Sequence, residues 1–303
     1  APLTIYEGVY KLPPAHVLRI SSPSAPPEPQ PYWSAVDQAL SAPPLVSGVS
    51  VVQSLGQELD RAVKSQMVAD VPLGAFLSGG IDSSAVVASM QRQSPAPVHT
   101  FTIGFEEPAY NESGYAAEVA AVLGTDHTEL MVGASDAMKV IPEMSTIYDE
   151  PFADSSQIPT FLISRMARAH VGVALSGDGG DELFGGYDRY QLIGRLARIR
   201  GLLPPMTRRL LSGALRQVPA ETFDRIGGRL PQFMVPSGLR HRAGHRLHKA
   251  GSILSANQLP DVYAALMSIE TTTDELVIGA DDVPLGFAGL PSTLRQDLSP
   301  FER

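Results

Sequence analysis

Two glycine-rich turns, each following a short apolar run, constrain this chain more than any other feature. The first reads Gly74-Ala75-Phe76-Leu77-Ser78-Gly79-Gly80-Ile81-Asp82-Ser83-Ser84. The second, about a hundred residues on, runs Val173-Ala174-Leu175-Ser176-Gly177-Asp178-Gly179-Gly180-Asp181-Glu182-Leu183-Phe184-Gly185-Gly186-Tyr187. A short apolar run ended by glycines reads as a buried strand. Strand, glycine turn and helix in succession are the parts of an open α/β sheet.

The sequence between the turns carries that pattern through. Val71–Leu77, Val98–Phe105, His127–Val132 and Val171–Leu175 read as strands. Ile81–Met90, Asn111–Leu123, Ala134–Tyr148 and Ile158–His170 read as helices, with Asn111 or Ser113 as the N-cap and Gly124 as the stop of the second. Such repetition predicts a parallel sheet covered by helices on both faces. Right-handed crossovers put every strand C-terminus on one edge, so both turns open where open α/β sheets bind ligands.

Outside this core the texture changes. Residues 1–20 predict one or two short strands around a Leu12-Pro13-Pro14 turn. Residues 21–49 are rich in proline and serine and predict an extended linker without a helix, with Tyr32 and Trp33 pinned to a neighbour. Val52, Leu55, Leu59, Val63 and Met67 then recur at helical spacing, giving an amphipathic helix that ends near Asp70. Beyond Tyr190 prolines interrupt a leucine pattern and no strand signal stands out, which predicts a helical subdomain.

Composition removes several classes of function. The chain of 303 residues has no cysteine, so disulfides, thiolate catalysis and cysteine-based zinc sites are excluded. The formal charge of −9 argues against nucleic acid as a partner of the whole chain. No apolar stretch reaches the roughly 18–20 residues of a membrane span, and residues 1–4 show no secretory signal. Residues 189–249 hold twelve arginines and one lysine against Glu221 and Asp224; a solvated helical face accounts for them better than RNA. His241, His245 and His248 share a helical spacing but have no carboxylate nearby in sequence, so surface histidines are preferred to a metal site.

The turns themselves specify chemistry. Glycines let the backbone fold against a phosphate, and a helix N-terminus offers unpaired N–H groups. Ser78, Ser83 and Ser84 add hydroxyl donors. Asp82 would repel a phosphate unless it held Mg²⁺, which takes carboxylate and phosphate oxygens. Asp178, Asp181 and Glu182 lie within five residues and repel one another unless a cation or basic group sits among them. Neither the P-loop nor the dinucleotide pattern is present. A glycine turn with an ordinary helix cap explains the first turn taken alone, and a solvated acidic loop explains the second. The pair on one edge is far more specific.

The residues resemble the synthetase domain of glutamine-dependent asparagine synthetases, in the ATP-pyrophosphatase group with the S-G-G-x-D-S loop. Asp70-Val71-Pro72, Thr100–Phe105, Asn111-Glu112, Asp149–Ser156 and Ser176–Tyr187 carry the resemblance, continuous over roughly residues 50–190. It implies an adenine-nucleotide α-hydrolase-like fold and a cytoplasmic ligase. Its substrates would be ATP, aspartate and ammonia, and its products asparagine, AMP and pyrophosphate, through a β-aspartyl-AMP intermediate. Ser78, Gly79, Gly80, Asp82 and Ser83 would then bind the pyrophosphate end of ATP, with Leu77 and Ser84 bracketing them. Asp82 and Asp181 would hold Mg²⁺. Ile103, Ser176 and Gly177 would meet the adenosine. Asp178 stands where the family often has glutamate, as the proton acceptor for ammonia attack, and Asp181 and Glu182 would join it as catalytic residues.

The family also has an N-terminal glutaminase domain whose cysteine is absent here. Thr4–Pro14 resembles the end of that domain, and the family's later arginine and lysine motifs lie beyond the segment resembled by Leu290–Arg303. The expectation is a fragment in four parts. These are a glutaminase remnant over 1–20, a linker over 21–49, the synthetase core over 50–190 and an incomplete helical part over 191–303. Adenylation of another carboxylate, or nucleotide binding without turnover, stand as alternatives. The oligomeric state is left open, a homodimer included.

Overall fold

A computed structural model describes residues 4–22, 28–41, 49–108, 110–151, 154–187 and 204–217. It also describes positions 190, 193, 202, 222, 250, 251, 253–256, 262, 263, 265 and 266. The chain divides into two units, Ala1–Gly185 and Gly186–Arg303.

The first unit is built on a four-stranded parallel sheet. Its strands are β3 (Leu73–Phe76), β4 (His99–Phe105), β5 (Asp126–Val132) and β6 (Val173–Leu175), in the order β5-β4-β3-β6. Strand β3 is the first of the four in sequence yet lies beside the last. Leu73 pairs with Val173, Gly74 with Ala174 and Ala75 with Leu175, so the two turns that follow β3 and β6 emerge side by side.

Alternation along the strands fills both faces. Ala75 and Leu77 point to one side, where they pack with Val63 of α2 (Val49–Gln66), Val87 and Met90 of α3 (Ile81–Gln93), and Ala116 and Ala120 of α4 (Ser113–Leu123). Phe76 and Phe101 point to the other and meet Ile163, Met166 and Ala167 of α7 (Gln157–Ala167). Ile103 and Phe105 continue that face against Val132, Leu162 and Val140 of α5 (Ala134–Val140). Both faces are covered by helices, as a parallel sheet requires.

Polar groups fix the helices where apolar burial leaves freedom. The fully buried Ser89 hydroxyl donates to Asp60 Oδ1 at 2.5 Å, and Arg92 ion-pairs with the same carboxylate, joining α3 to α2. Ser89 first, and Arg92 next, hold the Asp60 carboxyl below its usual range. At the opposite edge from the turns, Thr100 Oγ1 lies 2.9 Å from both Thr125 Oγ1 and His127 Nδ1. Burial lowers the His127 pKa against an opposing pull from Glu129, and its Nε2 is buried without a partner among the described residues.

Four expectations need correction. The proline-rich stretch is not wholly extended: β1 (His16–Leu18) pairs antiparallel with β2 (Pro29–Pro31), and α1 (Ala35–Ser41) follows. Residues 32–42 are free of proline, and Asp37 N–H donates to Ser34 Oγ in the first turn of α1. Trp33 and Tyr32 are 52% and 73% exposed, so neither pins this stretch. The helix expected over Ala134–Tyr148 breaks at Ile141–Glu143, a 3₁₀ turn holding Pro142, before α6 (Met144–Ile147). Proline has no N–H for the i→i−4 bond, and the tighter turn absorbs that loss. Finally, the apolar stripe of α2 is used only over its second half, since Val52 and Leu55 are exposed.

In the second unit, Pro205–Gln217 forms α9, preceded in the chain by the short α8 (Gly180–Phe184) of the first unit. Ile193, Ile253 and Val262 are buried together, and Tyr190 stacks on Tyr263 with centroids 6.3 Å apart and rings 8° from parallel. The histidines at 241, 245 and 248 and the segment 290–303 lie outside the described residues. Among the described residues, no helix is long and apolar enough to cross a membrane.

Candidate active site

The first turn is shaped by two close approaches. Leu77 N–H still donates to Phe101 O at 2.9 Å, extending the sheet by one residue. Gly79 then takes φ +79, which favours glycine. A side chain there would also strike α4, with Tyr115 Cβ at 2.7 Å and Ala116 N at 2.8 Å from an added Cβ. The exposed Tyr115 therefore forms the floor of the loop. No sequence motif marks it; the only signal was a glycine needing close contact.

Ser83 closes the turn from within. Its buried hydroxyl accepts from Ser78 N–H at 3.2 Å, lies 2.9 Å from Ser78 Oγ and donates to Gly80 O at 3.3 Å. Gly80 N–H donates to Ser78 Oγ at 3.3 Å. The Ser83 hydroxyl is thus engaged by the loop itself, while Ser84 Oγ is buried without a hydrogen-bond partner among the described residues. Leu77 also faces inward, 1% exposed in the core, leaving its backbone to the turn.

The second turn is held by its own polar groups. Ser176 Oγ–H donates to Asp178 Oδ2 at 3.0 Å, and Asp178 N–H returns to Ser176 Oγ at 3.4 Å. Gly179 takes φ +91 and leads into α8, which carries Asp181 and Glu182 in its first turn. Gly185, at φ +67, closes that helix.

The two turns touch. A Cβ on Gly177 would lie 2.7 Å from Ser83 N and 3.0 Å from the Asp82 carbonyl carbon. A Cβ on Gly180 would lie 2.5 Å from Asp82 Cγ and 2.6 Å from Asp82 Oδ2. The Asp82 carboxylate therefore rests against Gly180, one residue before Asp181. This suits a hard cation that takes oxygen ligands from both turns. Among the described residues no three His, Asp or Glu side chains converge as a ready metal site.

Ile103 lies on the neighbouring strand β4, half-buried against Val132, Val140 and Leu162. The Asp149–Ser156 segment precedes α7; Phe152 and Ala153 lie outside the described residues. Asp154 Oδ1 accepts from Ser156 N–H at 2.8 Å, and this contact lowers its pKa.

Against this geometry, the family model for asparagine synthase matches residues 54–266. The chain belongs to the asparagine synthase family. A putative glutamine-hydrolysing asparagine synthetase 2 of Methanocaldococcus jannaschii is 40% identical over 188 residues, which cover 62% of this chain and 36% of that protein. A putative glutamine-hydrolysing asparagine synthetase of Mycobacterium bovis is 36% identical over 220 residues, 71% of this chain and 32% of that protein. Asparagine synthetase 1 of Bacillus subtilis is 39% identical over 141 residues, 46% of this chain and 22% of that protein. The chain thus spans between 22% and 36% of the length of these relatives. The match begins within α2, takes in both turns and extends into the second unit.

Proposed function

We propose that this chain carries the synthetase half of an ATP-dependent asparagine synthase. The observation that supports it most is the backbone contact between Gly177 and Asp82-Ser83, which makes one site of two turns in a chain of this family. The pyrophosphate end of ATP would lie over Ser78-Gly79-Gly80 and the first turn of α3, where N–H groups face developing negative charge. The adenosine would lie toward Ser176-Gly177 and Ile103.

In the reaction, a β-carboxylate oxygen of aspartate attacks the α-phosphorus and pyrophosphate leaves, giving β-aspartyl-AMP. Ammonia attacks the acyl carbon, the C–O bond to AMP breaks, and asparagine is released. Asp178, oriented by the Ser176 hydroxyl, takes the proton lost by the attacking nitrogen. Asp82 and Asp181 would hold Mg²⁺, which neutralises charge on the leaving pyrophosphate. Glu182 lies in the same acidic turn. Bringing ATP and the acid together in this way supplies the orientation that an unactivated carboxylate lacks.

The organisation read from the sequence goes with this function. Residues 1–20 end a preceding glutaminase domain, 21–49 link it, 50–190 hold the catalytic core and 191–303 begin a helical C-terminal part. The setting is cytoplasmic. The test is pyrophosphate release from ATP and Mg²⁺, with and without aspartate, and asparagine formation when ammonia is added. Aspartate-dependent release that falls to background in Asp82→Ala is expected. Release that ignores aspartate but follows another carboxylic acid, or ATP binding unchanged in Asp82→Ala, refutes the assignment.

A further inference from the structure

Residues 4–11 precede the synthetase core by some forty residues, yet they are fastened to it at one place. Ile5 N–H donates to Glu150 Oε2 at 3.3 Å, Tyr6 Oη–H donates to Asp149 O at 2.8 Å, and Lys11 forms an ion pair with Glu150. Apolar burial does not hold this segment, because Ile5, Tyr6, Val9 and Tyr10 are all more than half exposed. The attachment is polar. Glu150 is its centre, with a side chain only 23% exposed that accepts from both a backbone and a lysine donor.

The place of attachment follows from the fold. After α7, His170 and Val171 close its last turn, and Gly172 N–H donates to Pro72 O at the start of β3. The C-terminal end of α7 is therefore at the N-terminal edge of the sheet. Its first turns pack against Phe105 and Val132, the last residues of β4 and β5. The helix runs antiparallel to the strands, so its N-terminus lies at the edge where the two turns open. Asp149 and Glu150 stand in the chain between Met144, which packs with Phe105 and Val132, and that N-terminus, so residues 4–11 are tied to the segment that leads to this edge.

We propose that Glu150 is a positioning residue that tethers the N-terminal segment to the rim of the synthetase site, so that the ammonia-supplying part of the protein is held in register with the site that consumes ammonia. This rests on the reading of a glutamine-driven synthetase given above. Glu150 touches no reacting atom; it acts through Lys11 and Ile5. Its loss therefore affects synthesis driven by glutamine and spares synthesis driven by free ammonia.

The test uses the full-length protein with Glu150→Gln, Lys11→Met and the charge-swapped pair Lys11→Glu with Glu150→Lys. Asparagine formation is measured with glutamine and with ammonium at saturating ATP and aspartate. Each single variant is expected to lower the glutamine-to-ammonia rate ratio about two- to fivefold, the scale of one partly exposed ion pair. The swapped pair is expected to recover the share that the ion pair supplies but not that of the Ile5 N–H bond, which a lysine at 150 cannot accept. An unchanged ratio in both single variants, or an equal loss with both nitrogen sources, overturns the proposal. Hydrogen exchange over residues 5–11 separates this from failure of the functional reading. If the wild type forms no asparagine from either source, that reading fails, and the tether is judged by exchange alone. Faster exchange of the Ile5 amide in Glu150→Ala supports it, and unchanged exchange refutes it.

Discussion

Gly177→Ala tests whether contact between the two turns, and not merely their presence, makes the site. The added Cβ would sit 2.7 Å from Ser83 N, 3.0 Å from the Asp82 carbonyl carbon and 3.1 Å from Ser83 Cα. Comfortable separations begin near 3.5 Å, so relief requires a displacement of roughly 0.8 Å. All three atoms are backbone in the first turn of α3, so no side chain can swing aside. Overpacking of this kind costs about 1–3 kcal/mol. At about 2–4 °C per kcal/mol for a unit of this size, the midpoint should fall by about 2–12 °C. A displacement near 1 Å between groups that must align a nucleotide and an acid is expected to lower aspartate-dependent pyrophosphate release on the order of 100-fold. Gly179→Ala is the control. Gly179 has φ +91 but, among the described residues, no atom within 4 Å of an added Cβ, so an alanine there carries about 1–2 kcal/mol of left-handed strain without forcing the turns apart. Similar losses of stability with very different losses of rate are expected. If Gly177→Ala keeps a rate within threefold of Gly179→Ala, the contact does not organise the site.

Ser83→Ala should fold, because the turn retains its glycines, but should raise the KM for ATP about tenfold, equivalent to about 1.4 kcal/mol; an unchanged KM would show that the loop needs no internal latch. Ser89→Ala removes a buried donor to Asp60 and should cost about 1–2 kcal/mol in urea unfolding with no effect on KM. Phe101→Ala empties a fully buried position between β4 and α7 and should cost about 3–5 kcal/mol, read as a lower urea midpoint. His127 has a folded pKa below its ordinary 6.5, so the unfolded chain binds its proton first as the pH falls. Its contribution is complete above about pH 6.5 and is lost as the pH drops from that value through the lowered one. The urea midpoint should decrease between pH 7.5 and 5.5, and His127→Gln should flatten that slope. A slope unchanged in the variant assigns it to other groups.

Much of the fold was legible because its signals are local. Strands β3, β4 and β5 and helices α3 and α4 lie within a few residues of where hydrophobic pattern and caps put them. Gly124, at φ +70 with its N–H on Ala120 O, ends α4 as a glycine stop should. The failures came where a local rule was extended too far. Proline density argues against a helix over residues 21–49, although residues 32–42 are free of proline and long enough for α1. Pro142 interrupts a segment whose apolar spacing alone predicts one helix. Both errors concern how far one proline's influence reaches, which is about one turn on either side.

The candidate site was legible as residue types and illegible as roles. Three serines in a phosphate-loop pattern look equivalent as donors, yet the Ser83 hydroxyl faces the loop and the Ser84 Oγ is buried, leaving Ser78, the exposed one of the three, as the hydroxyl nearest the turn's surface. The glycines look equally interchangeable. Gly79 and Gly179 are needed for positive φ, a property of their own backbone. Gly177 has no such φ; it is glycine because another strand's turn passes within contact distance. That need exists only once β3 and β6 are neighbours, and the pairing joins residues a hundred positions apart. A glycine required by its own dihedral can be inferred from its neighbours in sequence. A glycine required by an approach belongs to the topology, and only the strand order reveals it. The contact most important to the proposed chemistry is of the second kind, which is why the motif announced a nucleotide site without disclosing what joins its halves.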